Sequence, residues 1–153
     1  TGHSGYLARF VGGRVTITAV QESGGSPHVE DLVVGFHEAA HATALGKALL
    51  ATLTPGDRRA YLAEQGMPRF TSRTITEPER LESQLVRRRH MYVEESQFRD
   101  DVSCIAALVA TGQRDEPWWA VALSADSGRF RRTAGGLAGA LRAAASSLSL
   151  QPA

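Results

Sequence analysis

The chain has 153 residues, 42% of them hydrophobic, which is enough to bury a core without disulfides or metals. Its 17 basic and 16 acidic side chains give a net charge of +1, so no strong overall field attracts nucleic acid or anionic lipid. The single cysteine, Cys104, excludes an internal disulfide framework and fits a reducing compartment. With no stretch that resembles a signal peptide or a membrane span, the sequence predicts one soluble, cytoplasmic domain over residues 1–153.

The first predicted elements are two strands, Tyr6–Val11 and Val15–Val20. Both are rich in β-branched and aromatic residues, and the Gly12-Gly13-Arg14 segment between them is typical of a β-hairpin. Residues 28–34 follow a Gly-Pro-rich loop and are interpreted either as a third, irregular strand or as a loop that crosses the sheet.

Three helices are predicted next, over residues 43–53, 54–65 and 76–89. Thr54-Pro55-Gly56-Asp57 is a typical helix start, and Gly66 ends that helix. Thr76-Glu77-Pro78-Glu79 is a second capping box. Helical spacing predicts that six apolar side chains of the first and third helices face the core: Leu45, Leu49, Leu53, Leu81, Leu85 and Val86.

A period of two residues returns over residues 91–98, 102–110 and 118–125, which predicts three strands, the last two joined as a hairpin. Residues 129–150 then form a small-residue helix. Its predicted apolar stripe consists of Leu137, Leu141, Ala144, Ala145 and Leu148. This order of elements predicts an α+β fold, in which an antiparallel sheet of five or six strands carries its helices mainly on one face.

The segment His37-Glu38-Ala39-Ala40-His41 matches the H-E-x-x-H signature of zinc proteases. That chemistry needs two histidines one helical turn apart, a glutamate to activate water, and a third protein ligand. Ala44 and Lys47 stand where the extended metzincin pattern requires glycine and histidine, and Glu64 is only one conceivable third ligand. A zinc-dependent hydrolase therefore remains an alternative, while the favoured interpretation has no metal, no cofactor and no catalytic residue.

Four segments of the chain form an ordered set: His41–Ala51, Phe70–Thr76, Tyr92–Glu95 and Cys104–Ala107. Together they resemble the effector-binding domain of the IclR family of bacterial transcriptional regulators. The resemblance covers nearly the whole chain and is more specific than one five-residue motif. It implies a GAF/profilin-like fold, a ligand-sensing and non-enzymatic role, and a homo-oligomer, either dimer or tetramer. In that family a winged helix-turn-helix domain precedes this one, so DNA would be contacted only through a domain absent from this chain.

The resemblance also implies which residues line a pocket for a small organic effector. They are Thr43, Ala44, Leu45, Glu94, Val102, Cys104, Ala122 and Ser124. On each of the last two predicted strands, the two lining residues are two positions apart, so alternation places them on the same face of the strand. This agrees with the set. At the predicted helix start, unpaired N–H groups could hold an electron-rich group, although Thr43 also suits an ordinary cap. Cys104 equally suits a small buried hydrophobe, and Gly46 suits close packing.

Two positions depart from the family's usual pattern. Glu94 stands where the family often has aspartate, so the longer side chain should shrink the pocket or move the acceptor. Ala122 lacks a hydroxyl that some members have, which suggests a less polar ligand than a small keto acid. The segment Pro27–Phe36 is predicted to form a variable rim. The predicted function is effector sensing that controls DNA binding by the full-length regulator; a pure oligomerisation module with an inert pocket is the other alternative.

Overall fold

The computed structural model of the chain describes residues 3–23, 36–87, 91–115 and 117–149. In these residues, five strands form one sheet in the order β2-β1-β5-β4-β3, and every neighbouring pair is antiparallel. The strands are β1 (Gly5–Val11), β2 (Arg14–Gln21), β3 (Met91–Arg99), β4 (Val102–Ala110) and β5 (Trp118–Asp126). The predicted α+β class is confirmed, while the possible strand at residues 28–34 lies outside the described residues.

Both predicted hairpins form at glycines that adopt left-handed backbone conformations. Between β1 and β2, Gly12 and Gly13 have φ values of 58° and 77°, which a residue with a Cβ adopts only at a cost. Between β4 and β5, Gly112 has a φ of 75°, and the Thr111 N–H donates to the carbonyl of Pro117. Local sequence is therefore sufficient to set these two strand reversals.

The helices are α1 (Ala44–Leu50), α2 (Pro55–Gln65), α3 (Pro78–Arg87) and α4 (Ser127–Ser149), and a 3₁₀ helix (Phe36–Ala42) precedes α1. The predicted start of α2 is confirmed, because the Thr54 hydroxyl accepts from the N–H of Asp57 at 3.1 Å. Helix α1 ends three residues before the predicted Leu53. The chain tightens there into i→i−3 bonds, with Leu53 N–H donating to the carbonyl of Leu50, because α2 must begin at Pro55.

The sheet has a hydrophobic layer on each face. On one face, Ala106 and Ala122 pack in the main core with α1, α2 and α3, as predicted for most of the helices. On the other face, Ile105 and Ala107 pack with Phe130, Leu137 and Leu141 of α4. Strand alternation separates the two sets, so α4 adds a second helical layer that the sequence pattern did not assign.

Three predicted core positions are wrong: Val86, Ala144 and Leu148. Val86 is 66% exposed, because it is rotated by about 100° from Leu85 around α3, away from the core. Leu148 is 41% exposed although it lies seven residues after the buried Leu141 on the same side of α4, so the helix leaves the sheet in its last turns. Ala144 is exposed as well. In the described part of the chain, no helix is long and apolar enough to cross a membrane.

Candidate ligand-binding site

An internal cavity lies between the start of α1 and the inner face of the sheet. The cavity volume is about 20 Å³, which is room for about one water molecule. Its lining residues are Tyr6, Phe36, Thr43, Ala44, Leu45, Glu94, Phe98, Arg99, Val102, Cys104 and Ala122. Seven of the eight residues predicted from the sequence are in this set, and Ser124 is the one that is not.

Three of the predicted residues form a row across the sheet. Glu94 on β3 is the direct partner of Cys104 on β4, and Cys104 is the direct partner of Ser124 on β5. Ser124 is fully buried and hydrogen-bonds to the phenol of Tyr6, whose pKa is raised mainly by burial. Ser124 therefore hydrogen-bonds to Tyr6, which lines the cavity, and is not itself part of the lining.

The start of α1 brings backbone to the cavity. Thr43 is an extended cap residue, and its hydroxyl accepts from the N–H of Gly46 at 3.1 Å. The first intrahelical bond runs from the Lys47 N–H to the Thr43 carbonyl at 3.0 Å, so the N–H groups of Ala44 and Leu45 precede it and have no partner within the helix. Both roles considered for Thr43, helix cap and pocket wall, are present in one residue.

Gly46 permits the close approach that its sequence context suggested. A Cβ at this position would lie 2.2 Å from the carbonyl oxygen of Ala40 in the preceding 3₁₀ helix. No side chain fits at that distance, so glycine is what lets the 3₁₀ helix pack directly against α1. The position of the cavity wall depends on this contact.

A β-bulge in β3 supplies hydrogen bonds to the Glu94 carboxylate. The pairing of β3 with β4 shifts register between Glu95 and Arg99, and Ser96 in this bulge has a φ of 55°. The shift turns the Gln97 N–H back onto Oε2 of Glu94 at 2.9 Å, and the Phe98 N–H also bonds this carboxylate. The same bulge places Phe98 in the cavity wall.

Two threonines from the loop before α3 hold this bulge. The Thr71 hydroxyl donates to the Ser96 carbonyl at 2.6 Å, and the Thr74 hydroxyl donates to the Gln97 carbonyl at 2.6 Å. Thr74 Oγ1 also accepts from the backbone N–H of Thr71 at 2.9 Å, which closes the loop on itself. Both threonines belong to the Phe70–Thr76 segment, which contributed to the family resemblance but had no predicted structural role.

Glu94 is a buried carboxyl with weakened acidity. It is 2% exposed, and burial raises its pKa from 4.5 to about 7. The bond from the Gln97 N–H, the positive charge of Lys47, the Phe98 N–H and the Cys104 thiol each oppose this rise. Near neutral pH the group is therefore divided between a neutral form, which donates a hydrogen bond, and an ionised form, which only accepts.

Lys47 lies beneath the polar side of this site and is only 1% exposed. Its Nζ donates to Oε1 of Gln84 at 2.8 Å and to Oε1 of Gln97 at 2.5 Å. A buried ammonium needs such acceptors, because desolvation without them is costly. The partners of Lys47 come from distant segments, so the local sequence indicates no buried role for it.

Cys104 is not an activated nucleophile. Burial raises the pKa of its thiol well above the usual range, and the charge of Glu94 raises it further. The thiol form is therefore kept, whereas a reactive cysteine needs an electropositive environment that stabilises the thiolate. Cys104 serves as a small cavity-lining group that donates to Glu94.

The H-E-x-x-H segment does not have the geometry of a zinc site. It lies on the 3₁₀ helix, where four residues correspond to about 480° of rotation, so His37 and His41 do not share a face. His41 is buried with its Nε2 2.8 Å from the Pro68 carbonyl, and Glu38 is exposed. Over residues 3–23, 36–87, 91–115 and 117–149, no group of three or more histidine, cysteine or acidic side chains is placed to hold a metal.

Three lining residues were not predicted: Tyr6, Phe98 and Arg99. Phe36 also lines the cavity and ends the segment predicted as a variable rim, the rest of which lies outside the described residues. Tyr6 faces the cavity because β1 pairs with β5, where its partner is Ala122, and that pairing joins segments more than a hundred residues apart. Phe98 and Arg99 reach the cavity through the bulge, which no local pattern reveals. The alternation within β1 was the only available signal, and it does not tell which face is inward.

The family model for the bacterial transcriptional regulator IclR C-terminal domain matches residues 14–150 of the chain. The fold and the match define the class, a regulatory domain of a bacterial transcriptional regulator. The chain therefore belongs to the IclR C-terminal family, as its four sequence blocks predicted. This is a family of regulator domains and not of enzymes.

Individual relatives agree with this assignment. The HTH-type transcriptional regulator BhcR of Paracoccus denitrificans (strain Pd 1222) is 39% identical over 77 residues, which are 49% of this chain and 28% of that protein. A putative IclR regulator from Silicibacter sp. TM1040 superposes with a TM-score of 0.81 at 26% identity, covering 97% of this chain and 59% of the other. The chain thus spans less than two thirds of both proteins.

The fold also matches a domain solved with a ligand. The inducer-binding domain of the PobR transcription factor from Acinetobacter, a double mutant in complex with 3-hydroxybenzoic acid, superposes with a TM-score of 0.79. The identity is 21%, and the match covers 96% of this chain and 87% of that domain. At this identity the likeness concerns the fold.

Proposed function

We propose that this chain is a ligand-sensing domain and that the cavity between α1 and the sheet binds a small organic effector. The observation that carries the proposal is the set of side chains around the cavity, where α1, β3, β4 and β5 each contribute one or more residues beside the buried carboxyl of Glu94. Concave, mostly apolar sites with a few polar groups are typical of small-molecule binding. A buried carboxyl with a displaced pKa is typical of functional sites.

The lining indicates the chemistry of the ligand. Phe36, Leu45, Phe98 and Val102 offer apolar contacts, which favour an aromatic or short aliphatic body. Glu94 in its neutral form donates a hydrogen bond, so the ligand should carry an acceptor such as a carbonyl, a hydroxyl or one carboxylate oxygen. A second buried negative charge beside ionised Glu94 is unfavourable, so an acidic ligand should bind with uptake of a proton.

The cavity must expand to hold such a molecule, because about 20 Å³ accommodates no more than about one water. Phe98 is the side chain best placed to move. It is partly exposed, it lies in the bulge of β3, and its ring meets Phe70 at 4.9 Å in an edge-to-face contact. Phe70 is itself 40% exposed, so a rotation of both rings displaces little of the core.

Signalling would follow from different effector affinities of two arrangements of a homo-oligomer. In the full-length regulator, the favoured arrangement would set the position of a separate DNA-binding domain and hence the affinity for DNA. A dimer or tetramer in the cytoplasm is part of this proposal, as expected for a protein that acts on bacterial DNA.

A thermal-shift screen tests the proposal. The panel would contain benzoate, hydroxybenzoates and short keto acids, each paired with its neutral amide. Binding to the folded state alone raises stability by about 2.7 kcal/mol at a ligand concentration of 100 times Kd, so a true effector gives a large, saturable rise in Tm. If no compound of either series raises Tm while the protein still self-associates, the cavity is inert and the sensing proposal is lost.

A further inference from the structure

A second concave region lies outside the cavity, between α3 and the loop that precedes it. This groove, the arginine groove, is lined by one apolar residue, Ile75, and by six polar ones: Arg73, Arg80, Ser83, Gln84, Arg87 and Gln97. The volume of the groove is about 370 Å³, whereas that of the internal cavity is about 20 Å³. The groove therefore has room for a small molecule without rearrangement.

The three arginines of the groove are exposed, and Arg73 and Arg80 also line a neighbouring groove that contains Glu77. Within the described parts of the chain, no carboxylate lies within 4 Å of Arg73, Arg80 or Arg87. In contrast, Arg58 pairs with Glu82 at 2.9 Å. Arg80 and Arg87 are seven residues apart, so they project from the same side of α3, and the loop before α3 contributes Arg73. The positive charge is thus concentrated around one hollow.

Lys47 fixes the orientation of the two glutamine amides at the base of the groove. A cationic ammonium requires acceptors, so the oxygens of Gln84 and Gln97 must face Lys47 Nζ, at 2.8 and 2.5 Å. Among the residues that the structure describes, none accepts a hydrogen bond from their NH₂ groups. Because these residues also line the groove, its polar groups are three guanidiniums, two amide donors and the Ser83 hydroxyl, with no carboxylate among them.

We propose that the arginine groove is a second ligand site, which binds a small oxyanion of the phosphate or multivalent carboxylate type. The polar part of the lining consists of donors and cations, which matches the acceptor-only surface of such an ion, and guanidiniums bind its oxygens in pairs. The dimensions favour a small ion over a macromolecular surface. This site shares no lining residue with the internal cavity.

Isothermal titration calorimetry and ¹⁵N NMR on the 153-residue chain test this site, with inorganic phosphate and citrate as probes and sodium chloride holding ionic strength constant. The variant is Arg80→Gln/Arg87→Gln. Its matched control is Arg59→Gln/Arg142→Gln, which removes the same charge from exposed positions on α2 and α4. Exposed arginines can be replaced without disturbing the core, and unchanged urea midpoints would verify this.

We expect saturable binding that shifts the signals of Ser83 and the side-chain amides of Gln84 and Gln97. Affinity should fall at least about tenfold in Arg80→Gln/Arg87→Gln and stay within about twofold in the control, since each guanidinium contributes a charge-assisted bond. Binding of phosphate alone assigns a phosphate site, and binding of citrate alone assigns a carboxylate site. Non-saturable shifts, equal losses in both variants, or binding of neither probe would overturn the proposal.

Discussion

Glu94 and Cys104 are direct cross-strand partners on β3 and β4, and their side chains share a hydrogen bond. Glu94 is buried and Cys104 is half-buried, and the removal of both groups from water raises the pKa of each. The pair therefore favours its protonated forms, which keeps the negative charge in the cavity low. The ionisation of Glu94 therefore depends on pH near neutrality.

Stability should depend on pH through Glu94. In the unfolded chain this carboxyl ionises near 4.5, but in the folded chain its pKa is about 7. Between these values the unfolded state binds fewer protons, so stability falls as pH rises through this range and levels off above pH 7. The Glu94→Gln variant lacks this titration, so it should gain roughly 2 to 3 kcal/mol relative to the native chain between pH 5 and pH 8.

Urea denaturation of both proteins at pH 5, 6, 7 and 8 measures this difference. The change in the difference with pH is the informative quantity, because Glu94→Gln also alters the side chain that accepts from the Gln97 N–H at every pH. A difference that stays constant over the four pH values would show that Glu94 ionises as an ordinary carboxyl.

Cys104 should react slowly with thiol reagents in the native chain. Burial and the neighbouring Glu94 raise the pKa of the thiol, and each unit lowers the thiolate population by about tenfold. At pH 8, we expect the reaction with Ellman's reagent to be at least about ten times slower than in the urea-unfolded chain, which serves as the control. Equal native and unfolded rates would mean that Cys104 is accessible and ionisable.

The Thr74→Val substitution tests the clamp on the β3 bulge. Valine has the same shape but cannot bond the Gln97 carbonyl or the N–H of Thr71, so the loss should be about 1 to 3 kcal/mol of unfolding free energy. Thr16→Val, on the edge strand β2, is the matched control and should change stability by less than about 0.5 kcal/mol. Chemical denaturation measures both, and similar losses would contradict a clamp role for Thr74.

A pair of glycine substitutions tests the contact between the 3₁₀ helix and α1. Gly46→Ala places a Cβ 2.2 Å from the Ala40 carbonyl oxygen and should cost about 1 to 3 kcal/mol or more. Gly135→Ala, on the exposed side of α4 with no atom within 4 Å, should stabilise by about 0.5 to 1 kcal/mol. If Gly46→Ala is neutral in thermal unfolding, the packing of these two helices is looser than described.

The features of the fold that could be predicted from the sequence are those that local patterns determine. Glycine turns and alternation set both hairpins. Alternation also put Val102 with Cys104, and Ala122 with Ser124, on one face of each strand, while the resemblance supplied which face lines the cavity. Register and long-range pairing were not accessible. The bulge that carries Phe98 depends on hydroxyl groups twenty-three or more residues away, and Tyr6 enters the cavity only because β1 pairs with β5.

The pattern of α4 illustrates another limit. Its apolar stripe predicted an amphipathic helix, but a stripe does not tell which face of a sheet it covers. The wrong prediction for Val86 has the same origin. An apolar residue next to a core residue such as Leu85 gives the same sequence pattern whether its side chain is buried or exposed. Charge complementarity is equally hidden, since Lys47, Gln84 and Gln97 meet from three separate segments.

The most direct test of ligand sensing is calorimetric measurement of Kd for the best compound from the thermal-shift screen. It uses two matched variants, in each of which leucine replaces one alanine of β5. Ala122→Leu fills the cavity, whereas Ala120→Leu adds the same volume two residues away on the same face of β5, outside the cavity lining. We expect affinity to fall at least about tenfold in Ala122→Leu and to stay within about threefold in Ala120→Leu, corrected for stability. Equal affinities in the two variants would place the ligand elsewhere and contradict the cavity as the sensing site.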